Sequence, residues 1–109
     1  MITPELGQEL ITGLHNLLGD GLQSVILYGS VTRGDDTPES DIDIAIITSS
    51  PISREQRAQL FPLLADLDLR YDVVINVVDI HSKQFEDWER TLPFYRNVRE
   101  EGRVLWKAA

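Results

Sequence analysis

Two apolar strands with a glycine-serine turn between them constrain this chain most. Leu22 to Tyr28 is a run of Leu, Val, Ile and Tyr that ends at Gly29-Ser30. After a polar stretch, Asp41-Ile42-Asp43-Ile44-Ala45-Ile46-Ile47 alternates acids and small residues with isoleucines. Alternation with a period of two is a strand signal, because successive side chains point to opposite faces. Ile42, Ile44 and Ile46 are therefore expected in a core, and Asp41 and Asp43 together on the other face. Two neighbouring carboxylates repel unless a cation lies between them. A hard divalent ion with oxygen ligands, such as magnesium, suits that pair.

The turn supplies the complementary half of a site. Gly29 lets a ligand approach the backbone closely. Exposed N–H groups at such a turn attract phosphate, and Ser30 adds a hydroxyl. Arg33 is a permanently charged phosphate clamp. Phosphate binders at one strand end and metal-binding acids on the next strand describe a site for a metal–nucleoside triphosphate.

Gly29-Ser30, ten intervening residues, then Asp41-Ile42-Asp43 resembles the signature of the nucleotidyltransferase superfamily related to DNA polymerase beta. The short chain and the Arg33-Gly34 step resemble its minimal nucleotidyltransferase (MNT) branch, and the segment from Pro93 to Gly102 resembles the ending of many such domains. The composite pattern is specific where a lone Gly-Ser or Asp-x-Asp is not. The resemblance implies an α/β (α+β) palm-like core, with a mixed sheet of about four strands and helices mainly on one side. It implies transfer of a nucleotidyl group, AMP from ATP or from another NTP, to an acceptor hydroxyl. Asp41 and Asp43 would bind one or two Mg2+ ions, and Gly29, Ser30 and Arg33 would hold phosphates. The superfamily also uses a third acid on a neighbouring strand. Here Asp72, the acid, and Asn76 compete for that place on a strand expected from Tyr71 to Ile80. An amide can ligate through oxygen but cannot take a proton.

The rest of the chain reads as one domain, residues 1–109. Thr3-Pro4-Glu5 has the form of a helix start, and Leu6, Leu10, Ile11, Leu14, Leu17 and Leu18 form one apolar stripe. Ser53-Arg54-Glu55-Gln56 has capping-box form. The helix after it is expected to bury Leu60, Phe61, Leu64 and Leu67, and to kink or restart at Pro62. Ser82 opens a short helix whose Phe85 and Trp88 dock on the sheet. Pro93 starts another helical segment, and Arg103 to Trp106 forms an edge strand. His15 and His81 read as ordinary surface residues.

Composition bounds the function. The net charge of −8, from 10 basic and 18 acidic residues, disfavours broad nucleic-acid binding, which depends on neutralising phosphates. There is no cysteine, so no disulfide or thiolate metal site exists and a cytoplasmic setting is expected. No apolar run is long enough to span a membrane. Relatives that modify antibiotics or nucleic acids carry extra domains for the acceptor. The acceptor here is therefore expected on a second polypeptide, by resemblance a helical HEPN protein of the kind paired with MNT antitoxins. A homo-oligomer is also allowed. Two other readings stand beside this one: a catalytically weakened nucleotide- or partner-binding module, and a small-molecule adenylyltransferase.

Overall fold

The N-terminal leucine stripe becomes helix α1, Pro4–Leu18. Thr3 caps it, its Oγ1 accepting the Leu6 N–H at 3.1 Å. Pro4 sits at the helix start, where a missing N–H leaves nothing unsatisfied. The computed structural model describes residues 2–28, 41–88, 100 and 102–108, and all structural statements concern these. Gly29, Ser30 and Arg33 lie outside them, as does the segment expected to begin at Pro93.

After α1 a 3-10 turn, Gly19–Gly21, leads into β1, Leu22–Tyr28. Then follow β2, Ile42–Thr48; α2, Arg54–Tyr71; β3, Ile75–His81; α3, Ser82–Trp88; and β4, Arg103–Lys107. The strands form one sheet in the order β3-β2-β1-β4. β1 is antiparallel to both β2 and β4, while β2 and β3 are parallel. The parallel pair follows from the α2 crossover, which returns the chain to the end where β2 began. The result is the expected mixed four-strand sheet, with β4 on its edge.

The alternation of β2 divides its side chains between two layers. Ile42, Ile44 and Ile46 join Val25, Leu27 and Ile75 beneath α1 and α2, where Leu6, Leu10, Leu14, Leu60 and Leu67 complete the main core. Burying side chains of this size stabilises by about 1.5–3 kcal/mol each. Ala45 and Ile47 face the other way, and with Ile26 and Ile80 form a smaller cluster against Tyr28 and Phe85. Only the short α3 packs there among the described helices. A bulge between Leu22 and Ser24 lets Leu22 join the same core as Val25 and Leu27.

Helix α2 has no restart at Pro62, and it corrects the expected burial of Phe61. It is a single helix from Arg54 to Tyr71 with Pro62 inside it. The Pro62 ring is exposed, while Leu60 and Leu67 are buried on either side of it. That burial offsets the roughly 3 kcal/mol cost of an interior proline. Phe61 is not on the buried face: it is 76% exposed, and Leu69 is 84% exposed. The capping box is as expected. Ser53 Oγ accepts the Gln56 N–H at 3.0 Å, and Gln56 Oε1 accepts the Ser53 N–H at 2.9 Å.

The third strand is also corrected. It begins at Ile75, not Tyr71. Tyr71 ends α2, and Asp72 is the residue after it, in the left-handed region at φ 52° and ψ 53°. Asp68 makes this ending. Its carbonyl accepts the Val73 N–H at 3.1 Å, and its carboxylate Oδ1 accepts the Ile75 N–H at 3.0 Å.

Candidate active site

Asp43 lies in the middle of three strands. It pairs in register with Tyr28 on β1 and with Asn76 on β3. The face it shares is the one that carries Ala45 and Ile47, so the acids continue the smaller apolar cluster toward the N-terminal end of β2. Asp41 directly precedes that strand. The hydrogen bond from Ile42 N–H to the Val74 carbonyl, 2.8 Å, ties this end of β2 to the approach to β3.

Asn76 joins the two acids. Its Nδ2 donates to Asp41 Oδ2 at 2.9 Å and, more weakly, to Asp43 Oδ1 at 3.4 Å. The carboxylates thus converge on one point, and a neutral hydrogen-bond donor faces both. Asp41 is exposed and Asp43 half-buried, so the pair is reachable from solvent. A divalent cation asks for the same arrangement of oxygen donors. Asp41 and Asp43 supply oxygen donors of the kind that would hold a magnesium ion. Among the described residues no group of three or more His, Cys, Asp or Glu side chains could hold a metal.

Tyr28 was not singled out by the sequence pattern, where it reads as the last residue of a strand. Its position next to Gly29 is the signal that could have marked it. Burial, and then the charge of Asp43, push its phenol above the ordinary value. It stays protonated at neutral pH, on the residue of β1 that pairs in register with Asp43.

The other candidates fall elsewhere. Asp72, the acid expected on the third strand, is exposed at the end of α2. It lies outside the strand on which Asn76 faces the acids, so the position beside Asp43 belongs to an amide. His15 sits on the surface with its ring edge-on to Trp106, the centroids 5.6 Å apart. His81 Nε2 is 3.0 Å from the Ser49 carbonyl oxygen, a local contact at the far end of β2. Asp79 receives both Arg57 guanidinium nitrogens at 3.1 Å, which fastens α2 to β3. Phe85 packs on the small cluster below the site. No helix among the described residues is long and apolar enough to cross a membrane.

Comparison with known proteins agrees with this fold. A protein of Methanocaldococcus jannaschii named as a candidate protein adenylyltransferase is 36% identical over 99 residues, 91% of this chain and 93% of that protein. The fold is also that of an MNT antitoxin in a solved complex with the tri-AMPylated HEPN toxin of Shewanella oneidensis: TM-score 0.56, 22% identity, 97% of this chain and 74% of the other covered. A spectinomycin adenyltransferase of Enterococcus faecialis, solved with ATP and spectinomycin, superposes with a TM-score of 0.70 at 16% identity, over 94% of this chain and 48% of that one. The sequence profile described as polymerase beta, nucleotidyltransferase matches residues 14–108, and the chain belongs to that nucleotidyltransferase family.

Proposed function

We propose that this chain moves an adenylyl group from magnesium-bound ATP to a hydroxyl group on a partner protein. The observation that carries the reading is the convergence of the Asp41 and Asp43 carboxylates on one accessible point at the end of β2. In the reaction the acceptor oxygen forms a bond to the α-phosphorus. The bond from that phosphorus to the bridging oxygen breaks, pyrophosphate leaves, and the acceptor proton passes to solvent. Asp41 and Asp43 would hold a magnesium ion, which would supply Lewis-acid stabilisation of the negative charge that develops on the phosphate. Asp41 and Asp43 would orient that ion, and electrostatic stabilisation is the main contribution such a site makes. Gly29, Ser30 and Arg33, outside the described residues, are assigned to the phosphates by their place in the sequence.

A protein acceptor is supported by the description of the archaeal relative as a protein adenylyltransferase. A HEPN-type partner is supported by the neighbouring complex in which the toxin is AMPylated. The charge of −8 suits a basic partner surface. A second reading, a binding module with little turnover, is favoured by one observation: an amide, Asn76, stands beside Asp43 where a proton acceptor would serve catalysis.

The test uses ATP labelled on the α or the γ phosphate, with magnesium and a lysate of the source cells. Wild type is compared with Asp41→Asn/Asp43→Asn. Label entering a protein from the α position alone, and lost in the double variant, supports adenylyl transfer and identifies the acceptor. Label from the γ position would mean phosphoryl transfer. No α label, with a partner still co-purifying, would favour the binding module.

A further inference from the structure

We infer that Asn76 sets this site to hold one divalent cation per bound nucleotide, not two. The inference rests on the assignment of Asp41 and Asp43 as metal ligands and deepens it. Asn76 is in parallel register with Asp43 and hydrogen-bonds both carboxylates. Among the described residues it is thus the side chain best placed to complete or to restrict the metal site.

The restriction follows from charge and donor number. The two carboxylates carry −2 beside the charge that the triphosphate brings. A second ion would share phosphate oxygens with the first and would still need protein oxygen of its own, because hard cations take six or more oxygen ligands. The described part of the site offers no further carboxylate: the position in line with Asp43 is a neutral amide, and no third acid joins the group. The amide also turns its donor side to the acids. Its Nδ2 donates to Asp41 Oδ2 and to Asp43 Oδ1, two oxygens that a second ion would have to share. Asn76 therefore acts as a positioning residue: it holds the two carboxylates together in place of a cation and leaves their remaining oxygens for the ion that accompanies the triphosphate.

The experiment counts metal on the full chain. Mn2+ is titrated into protein saturated with an ATP analogue carrying a methylene bridge between the α and β phosphates, and free Mn2+ is read by electron paramagnetic resonance. Wild type should saturate at one Mn2+ per ternary complex and Asn76→Asp at two. Melting curves add a readout independent of turnover. Asn76→Asp should melt below wild type in EDTA, because three carboxylates then face one another, and should gain more from Mn2+ than wild type does. Two ions in wild type would overturn the inference while leaving the metal-binding reading of Asp41 and Asp43 intact. No ion in wild type with nucleotide bound would overturn both. An Asn76→Asp count that stays at one would overturn the role given to Asn76, and the wild-type count needs no variant to fold.

Discussion

Asn76 and Asp43 face each other across the parallel β2–β3 pair, and the Asn76 amide nitrogen, 3.4 Å from Asp43 and 2.9 Å from Asp41, holds two like charges together. Removing one of those charges separates chemistry from stability. Asp43→Asn keeps the shape and an oxygen that can still accept from Asn76, but halves the negative charge available to a cation. Adenylyl transfer should fall by about 100-fold or more, equivalent to about 2.7 kcal/mol of transition-state stabilisation. The melting temperature in EDTA should stay level or rise, since a like-charge repulsion has gone. Transfer rates and melting curves on the same preparations check both halves. A variant that retains transfer within about threefold would remove Asp43 from the site.

The parts of this architecture legible in the sequence were those with a local cause. Thr3-Pro4 and the leucine spacing gave α1 its start and buried face. The Asp-Ile alternation of β2 separates the buried isoleucines from the face that carries the two acids. Asp72 was misplaced because Tyr71-Asp72-Val73-Val74 has strand-like composition, whereas the chain there is governed by Asp68. That residue's carbonyl and carboxylate terminate α2 and receive the Val73 and Ile75 amides. A capture across seven residues leaves no periodic trace in the sequence. Phe61 was misplaced for a different reason. Its neighbours Leu60, Leu63 and Leu64 already fill the side of α2 that meets the core, so one more large apolar residue in the same turn points outward.

The two glycines inside α1 should respond oppositely to alanine. A Cβ on Gly7 would meet only Ile2 Cδ1, at 3.9 Å, an ordinary contact. Gly7→Ala should then gain the helix-propensity difference of about 1 kcal/mol, raising the melting temperature by about 4 °C or more. A Cβ on Gly13 would lie 2.6 Å from Leu63 Cδ1, 3.1 Å from Cδ2 and 3.4 Å from Cγ. Here α1 and α2 approach so closely that the whole leucine head occupies the space. Overpacking of this kind costs about 1–3 kcal/mol, which offsets or exceeds the propensity gain. Gly13→Ala should be neutral to destabilising, and Leu63→Ala should cost less in the Gly13→Ala background than in wild type. Denaturant unfolding of the four proteins in that cycle measures the coupling, and strict additivity would contradict the clash.

Acid and base limits of stability trace to a cluster away from the site. Glu9 accepts hydrogen bonds from the Tyr71 hydroxyl and from Arg70 Nη1, the latter at 2.8 Å. The Tyr71 bond, then the Arg70 bond, hold the Glu9 carboxyl below its ordinary value of 4.5. The same Glu9 contact raises the Tyr71 phenol above its ordinary 10.0. A lowered carboxyl stabilises the fold above its unfolded pKa and loses that contribution as pH falls through the folded one. A raised phenol stabilises below its unfolded pKa and loses the contribution as pH rises through the folded one. The melting-temperature difference between wild type and Glu9→Gln should therefore be largest between about pH 5 and 9 and shrink on both sides. It should also shrink in high salt, since these groups lie near the surface. A difference that is flat from pH 3 to 11 would show that Glu9 contributes by packing instead.

Asp72 tests whether the end of α2 takes part in the chemistry. Its φ of 52° and ψ of 53° put a side chain where glycine is favoured and most other residues incur about 1–2 kcal/mol. Aspartate and asparagine tolerate that region better than alanine does. Asp72→Gly should therefore leave stability level or raise it by up to about 1 kcal/mol, and Asp72→Ala should lower it by a similar amount. If Asp72 serves only the backbone turn, both variants should keep adenylyl transfer within about twofold once assayed well below their melting temperatures. Asp72→Asn sharpens the test, because it keeps the conformational preference and removes only the charge. Loss of transfer in Asp72→Asn at unchanged stability would bring that carboxylate into the reaction despite its place outside β3. Retained transfer would leave Asp41 and Asp43, with Asn76 between them, as the only acid pair this end of the sheet offers among the described residues.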